Sequence, residues 1–222
     1  MVTCIGKLLT QEQVEMLRQA LAGAEFTDGR LSAGILAQEI KNNLQLKSGD
    51  SRARAATGLI LEALGRSQLF SRVAVPKVVA PPTFNRYDVG MTYGPHVDSP
   101  LVAGGRLRTD LSVTVFLSEL DSYDGGELCI ETDLDVRRVK LPPGDAVVYP
   151  AGQVHWVEPV TRGVRLAAIT WVQSMIRDHS MRQVVGDMAA LVSRLHEADP
   201  KSDSALVLNR IYANLMRMVA EP

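Results

Sequence analysis

Between residues 72 and 174, short runs rich in Val, Thr, Ile and Tyr recur, each closed off by proline or glycine. This punctuation constrains the fold more than any other feature. A helix needs longer uninterrupted stretches, whereas runs of four to eight β-branched and aromatic residues between turn residues are a strand signal. Leu111, Val113, Val115 and Leu117 alternate with Ser112, Thr114 and Phe116. Segments 128–130, 136–141, 146–149 and 164–171 have the same character. Many short strands separated by turns predict a sandwich or barrel, not alternating β/α units.

The flanks read differently. From about residue 10 to 70 the pattern is helical. Thr10 and Gln13 have the form of a capping box, followed by Val14, Leu17 and Leu21 at helical spacing. Ser32 is expected to start a second helix with Ile35, Leu36, Ile40 and Leu44 on one face. Leu59, Ile60, Ala63 and Leu64 suggest a third, ending at Gly65. After about residue 178, Met181, Val184, Val185, Met188, Leu191, Val192 and Leu195 recur at helical spacing. Pro200 interrupts the pattern, which Leu208, Ile211, Tyr212, Leu215 and Val219 resume. This predicts a helical hairpin, packed either on the β core or against a second copy as a homodimer. The class is therefore α+β, with a catalytic-type domain over 1–175 and a C-terminal helical extension over 176–222.

Composition excludes several functions. The 222 residues suffice for one sizeable core. A net charge of -1 gives no field that would draw the chain to nucleic acid or an anionic membrane, and no basic run provides a local one. No apolar stretch approaches the roughly 20 residues that span a bilayer. The N-terminus lacks the pattern of a signal peptide. Cys4 and Cys129 lie far apart and form no metal-type pair, so free thiols and a cytoplasmic location are expected, with Cys129 as buried filler.

The most informative stretch is Tyr87-Asp88-Val89-Gly90-Met91-Thr92-Tyr93-Gly94-Pro95-His96-Val97-Asp98. On a strand, residues two apart point to the same face, so His96 and Asp98 can reach one ion together. His155, after a later strand and the turn Pro150-Ala151-Gly152, is the best third ligand. Two imidazoles and one carboxylate on one face of an octahedron leave positions open for cosubstrate and O2, the arrangement of non-haem Fe(II) oxygenases. The triad alone does not distinguish iron from zinc. Arg165 adds a second element. Its side of the strand carries Ala167, Ile169 and Trp171, and a charge on an apolar inner face is costly unless paired. A guanidinium fork holds a carboxylate through two charge-assisted hydrogen bonds. Arg162, in Thr161-Arg162-Gly163, is more turn-like and a poorer candidate. His179 and His196 are expected on the surface. Segment 101–108, with two glycines and two arginines, reads either as a lid that meets an anionic substrate or as an ordinary loop. Gly125-Gly126 reads as a structural turn, since no helix follows to make a phosphate cradle.

Tyr87-x-x-Gly90-x-x-Tyr93-x-x-His96-x-Asp98 resembles the prolyl-4-hydroxylase-like branch of Fe(II)/2-oxoglutarate dioxygenases. So do Gly125-Gly126-Glu127-Leu128, Pro143-Gly144-Asp145, and His155 followed by Pro159-Val160-Thr161-Arg162-Gly163-x-Arg165. Within that branch the chain is most similar to bacterial PKHD-type hydroxylases, some of which are associated with iron uptake. Leu44 to Lys47 and Trp171 to Asp178 fit that subgroup, so the resemblance covers nearly the whole chain. It departs where Ser99-Pro100 follows Asp98 and many relatives carry Asn.

The resemblance implies a double-stranded β-helix (jelly roll) with flanking helices. It implies Fe(2+) at His96, Asp98 and His155, and 2-oxoglutarate at Arg165. It further implies a tyrosine touching 2-oxoglutarate, Tyr87 being the first choice and Tyr93 the alternative. L-Ascorbate (vitamin C) as iron reductant is implied by the family and by no residue here. The expected reaction consumes O2 and 2-oxoglutarate, releases succinate and CO2, and hydroxylates an unidentified small-molecule or peptide substrate. Halogenases of the superfamily lack the carboxylate ligand, so Asp98 favours hydroxylation. Two other readings remain at this point: a cupin-like metalloenzyme that uses the triad without 2-oxoglutarate, and a non-catalytic iron sensor that signals through its C-terminal helices.

Overall fold

The computed structural model describes residues 2–32, 34–47 and 49–221, with all their side chains except those of Ile35, Leu36 and Ser51. Two antiparallel sheets face each other. The larger runs in the order Thr3–Ile5, Ala146–Pro150, Leu111–Phe116, Arg165–Ser174, Thr83–Tyr87, Leu44–Leu46, Phe26–Asp28, with Pro76–Val79 also paired to Arg165–Ser174. The smaller runs Val136–Val139, Leu128–Glu131, His155–Val157, Thr92–His96, Lys41–Asn42. Together they form the jelly roll.

The alternation in Leu111–Phe116 has a definite use. All six residues are buried, because both faces of the strand are covered. Leu111, Val113 and Val115 join a core with helices on the outer side of the large sheet; Ser112 and Thr114 are on the opposite face, toward the sandwich interior. Helix α1 (Gln11–Ala22) contributes Val14, Leu17 and Leu21 to that outer core, and α3 (Ser51–Arg66) contributes Ile60, Ala63 and Leu64. The Thr10–Gln13 capping box is present in both directions, with Thr10 Oγ1 accepting from Gln13 N at 3.2 Å and Gln13 Oε1 from Thr10 N at 3.0 Å. A second core lies between the sheets and contains Phe116, Leu128, Ile130, Tyr149 and Val157.

The N-terminal region departs from expectation. Only one helical turn, α2 (Ile35–Gln38), forms where a longer helix was expected from Ser32. A 3-10 turn (Gly29–Ser32) precedes it, and two short strands follow. Ile35 and Leu36, which carry part of the expected stripe, have side chains outside the described residues. Leu44–Leu46 is instead drawn into the large sheet between Phe26–Asp28 and Thr83–Tyr87, so distant pairing overrides local periodicity. The third helix runs one residue past Gly65, and Ser67 then caps α4 (Gln68–Ala74) by accepting from Phe70 N. At the other end, α5 (His179–Ala198) and α6 (Asp203–Val219) make the expected hairpin. Its first helix packs on α4, with Val185 and Arg182 buried. His179 is half-buried and near Arg182 rather than on the surface, whereas His196 is exposed. Cys4 and Cys129 are free, the second buried. Among the described residues, no helix is long and apolar enough to cross a membrane.

Candidate metal centre and cosubstrate cavity

His96 and His155 are direct partners across adjacent strands of the small sheet, which places their rings 4.3 Å apart, centroid to centroid. The strand carrying His96 ends at that residue, so Asp98 lies just beyond it. Its backbone N–H donates to Ala151 O at 3.2 Å, and its Oδ2 accepts from Ser112 Oγ. The Asp98 carboxylate then sits 3.8 Å from His155 Nε2. One ligand atom from each of His96, Asp98 and His155 lies within 4.8 Å of the other two, close enough to share one ion.

The imidazoles are oriented by the backbone. His96 Nδ1 donates to Gly94 O at 2.8 Å and His155 Nδ1 to Gln153 O at 2.9 Å. Each bond fixes the tautomer and leaves Nε2 as the lone-pair donor, the outer arrangement that ligating histidines require. Burial, then the neighbouring His155, pull the His96 pKa down to about 4, which keeps it neutral and able to ligate at neutral pH. Tyr93 stacks on His96 at 3.7 Å and Tyr149 meets His155 edge-on at 5.1 Å.

A cavity of about 540 Å³ opens from these ligands into the sandwich, within the usual range for small-molecule sites. Arg165 lines it and is 1% exposed. Its Nε and both terminal nitrogens have no hydrogen-bond partner among the described residues. The guanidinium rests 5.1 Å from the Tyr87 ring and 5.6 Å from Phe116. Tyr87 Oη, Thr114 Oγ1 and Trp171 Nε1, all on cavity-lining residues, are likewise buried without partners. Buried polar groups are nearly always satisfied, and a buried charge without a counter-ion is costlier still. This cluster is therefore built for an anion with several acceptor oxygens. A neutral-donor triad at one place and a bare guanidinium lining the same cavity fit Fe(II) and a dicarboxylate cosubstrate together.

Gly126 makes room for that guanidinium. A Cβ there would lie 3.0 Å from Arg165 Cδ, and the residue has φ +65°. Its neighbour Gly125 (φ +71°) approaches Pro159 O so closely that a Cβ would sit 2.1 Å from it. The pair is thus a structural turn, and Gly126 also packs against the stem of Arg165. Arg162 is on the outside, ion-paired to Asp124 at 2.6 Å. Segment 101–108 is a small hairpin of Leu101–Val102 and Leu107–Arg108. Arg108 is committed to Asp110 at 2.7 Å and Glu221 at 3.1 Å, so it is no free anion receptor.

The structure adds site residues that the sequence did not reveal. Ser112 and Thr114 had a signal: small polar residues at every second position of an otherwise apolar strand. Lys41, Gln45 and Asn85 also line the cavity and had none, because two of them fall where a helix was expected.

Known proteins agree with this geometry. Residues 82–173, which contain the triad and Arg165, match the 2OG-Fe(II) oxygenase superfamily. A PKHD-type hydroxylase from Burkholderia ambifaria is 46% identical over the full length of both chains, and one from Paracoccus denitrificans is 44% identical, also full-length. A Pseudomonas putida prolyl-4-hydroxylase shares the fold with TM-score 0.53 at 22% identity, covering 78% of this chain and 92% of its own. A Trichoplax adhaerens prolyl hydroxylase solved with a peptide fragment of hypoxia inducible factor gives 0.55 at 14% identity, covering 83% and 86%. Full-length identity at this level places the chain among the PKHD-type hydroxylases, 2-oxoglutarate-dependent enzymes of the 2OG-Fe(II) oxygenase superfamily.

Proposed function

We propose that His96, Asp98 and His155 hold Fe(II), that Arg165 with Tyr87 and Thr114 binds the distal carboxylate of 2-oxoglutarate, and that the enzyme hydroxylates a C–H bond of a small molecule or peptide. The observation that carries this reading is the fully buried, partnerless Arg165 guanidinium lining the same cavity as the triad. When bound, iron supplies O2 activation coupled to oxidation of 2-oxoglutarate to succinate and CO2, one oxygen atom going to succinate and one to the product.

The protein's own residues bind and orient. Gly94 and Gln153 carbonyls hold the two rings, Ser112 holds Asp98, and Tyr93 keeps His96 from turning. The guanidinium fork grips one end of the cosubstrate, while the Tyr87 and Thr114 hydroxyls complete its hydrogen bonding. Apolar walls from Leu128, Val157 and Ile169 exclude water. The same reading takes residues 1–175 as the oxygenase domain and 176–222 as an extension. Exposed Leu206, Ile211 and Met218 on α6 would form a homodimer contact. Ascorbate as reductant, a cytoplasmic location and a link to iron uptake or homeostasis rest on the family resemblance alone.

The test is anaerobic titration of apoprotein with Fe(II) and 2-oxoglutarate. A weak visible charge-transfer band is expected, absent in His96→Ala and requiring much more 2-oxoglutarate in Arg165→Ala. A band that persists in His96→Ala would put the iron elsewhere.

A further inference from the structure

The cavity holds a second buried cation. Lys41 comes from the edge of the small sheet, whereas Arg165 comes from the large one. Lys41 is 7% exposed, yet among the described residues no carboxylate lies within ion-pair distance of it. Its Nζ makes one hydrogen bond, to Ser32 Oγ at 3.0 Å, and lies 5.2 Å from the Tyr93 ring. An ammonium has three N–H donors, so two remain unused among the described residues. The nearby Asp28 is already taken by Arg30 at 2.5 Å. Burial pulls the Lys41 pKa down to about 8 against the attraction of Asp98 and Asp28, so water solvates this charge poorly.

Neighbouring polar groups hold the lysine in place. Ser32 Oγ also lies 2.9 Å from Gly29 O and 2.5 Å from Gln45 Oε1. Gln45 Nε2 donates to Asn85 Oδ1 at 2.9 Å, and Asn43 Nδ2 donates to the same oxygen at 3.0 Å. Ser32, Lys41, Gln45 and Asn85 all line the cavity, so they make one polar wall in a space otherwise bounded largely by apolar and aromatic groups. The wall reaches the iron ligands through Tyr93, which contacts the Lys41 ammonium on one side and stacks on His96 on the other.

Resting on the function proposed above, the geometry points to Lys41 as the substrate-recognition cation: it pairs with a carboxylate on the substrate and places a nearby C–H bond beside the iron. Both charges of 2-oxoglutarate have other partners, one carboxylate on the metal and one on Arg165. A single ammonium flanked by neutral amides and a hydroxyl balances one negative charge, which suits a carboxylate better than a doubly charged phosphate. The substrate class is thus a carboxylic acid with an apolar body, free or as part of a peptide.

The experiment uses full-length protein loaded anaerobically with Fe(II) and saturating 2-oxoglutarate. The probes are 3-phenylpropanoate and its neutral counterpart 3-phenylpropanamide, followed by ligand-observed NMR. Wild type should bind the acid at least ten-fold more tightly than the amide. Lys41→Met should lose that preference while keeping the charge-transfer band, and Lys41→Arg should keep both. The inference is overturned if wild type shows no preference for the acid, including no detectable binding of it. It is equally overturned if Lys41→Met still prefers the acid, which would mean that the carboxylate binds the iron directly, or if Lys41→Met loses the band, which would make Lys41 a prop for Tyr93 and His96. Absence of the band in wild type would instead defeat the oxygenase site assignment and is read separately.

Discussion

Arg165 is held where the apoprotein gains little from its charge. Among the described residues its three guanidinium nitrogens have no hydrogen-bond partner, so the folded apoprotein carries the desolvation cost of the ion with only ring contacts to offset it. Methionine is of similar volume and carries no charge. Arg165→Met is therefore expected to raise apoprotein stability, by about 1 kcal/mol or more. For a chain of this length that is roughly 2–4 °C in Tm per kcal/mol. The same substitution should weaken 2-oxoglutarate by about 30-fold or more, the usual scale for truncating one partner of a buried charge pair. Thermal melts with and without 2-oxoglutarate check both halves. A destabilised variant with unchanged cosubstrate affinity would contradict the assignment. The two tyrosines separate in the same assay. Tyr87→Phe removes a buried, partnerless hydroxyl beside Arg165 and should cost about 2- to 10-fold in 2-oxoglutarate affinity. Tyr93→Phe keeps the ring stacked on His96 and should leave that affinity within 2-fold.

Elements explain why some of the molecule was legible in the sequence and some was not. The capping box of α1 is local chemistry, two side chains and two amides within four residues, and it forms as written. The strand Leu111–Phe116 was visible because one face had to satisfy a core and the other a cavity. Segment 29–46 was not, because its hydrogen-bonding partners lie far away in sequence, at Thr83–Tyr87 and Thr92–His96. Lys41 inherited that blindness: its meaning comes from two sheets that no local pattern reports. The Gly125-Gly126 turn falls between these cases, readable as a turn but not as a support for the Arg165 stem. Alanine at either position is strained, since both have positive φ. At Gly125 the new Cβ meets a backbone carbonyl that cannot yield, so Gly125→Ala should lower stability by more than 3 kcal/mol, on the order of the largest single-residue effects. At Gly126 the obstacles are side chains, Arg165 Cδ and Val160 Cγ2 both at 3.0 Å, so Gly126→Ala should cost about 1–2 kcal/mol and, by displacing Arg165, also weaken 2-oxoglutarate. Denaturant unfolding paired with cosubstrate titration distinguishes them, and equal cosubstrate affinity in Gly126→Ala and wild type would sever the turn from the site.

At the scale of the whole molecule, the question is how far the C-terminal hairpin belongs to the oxygenase. Its two helices differ. The α5 helix buries Val185 and Arg182, and packs so tightly on α4 that a Cβ on Gly186 would sit 2.7 Å from Arg72 O. Arg182 donates to Ile176 O at 2.7 Å, which ties α5 to the end of the long strand Arg165–Ser174. By contrast, α6 packs chiefly on α5, buries only Ala205 fully, and leaves Leu206 and Met218 exposed. Its return to the core runs through Glu221, whose N–H donates to Met175 O at 2.7 Å and whose carboxylate pairs with Arg108 and Arg177. The Arg177 pair is exposed and the Arg108 pair half-exposed on its Glu221 side, so each is worth little. Arg108 moreover keeps its half-buried pair with Asp110 when Glu221 is gone. Ending the chain after Pro200 should therefore leave the Fe(II)/2-oxoglutarate band intact and lower Tm by only a few degrees. If α6 carries the homodimer contact, the same truncation also yields a monomer by light scattering. Ending it after Arg177 removes the buried face of α5 as well and uncovers α4 beneath it. That protein should lose several kcal/mol, since more than one fully buried side chain and its packing go at once, and should aggregate on heating. If the shorter chain instead melts like the longer one, α5 is an appendage, and the boundary between oxygenase domain and extension lies before it in energy as well as in sequence.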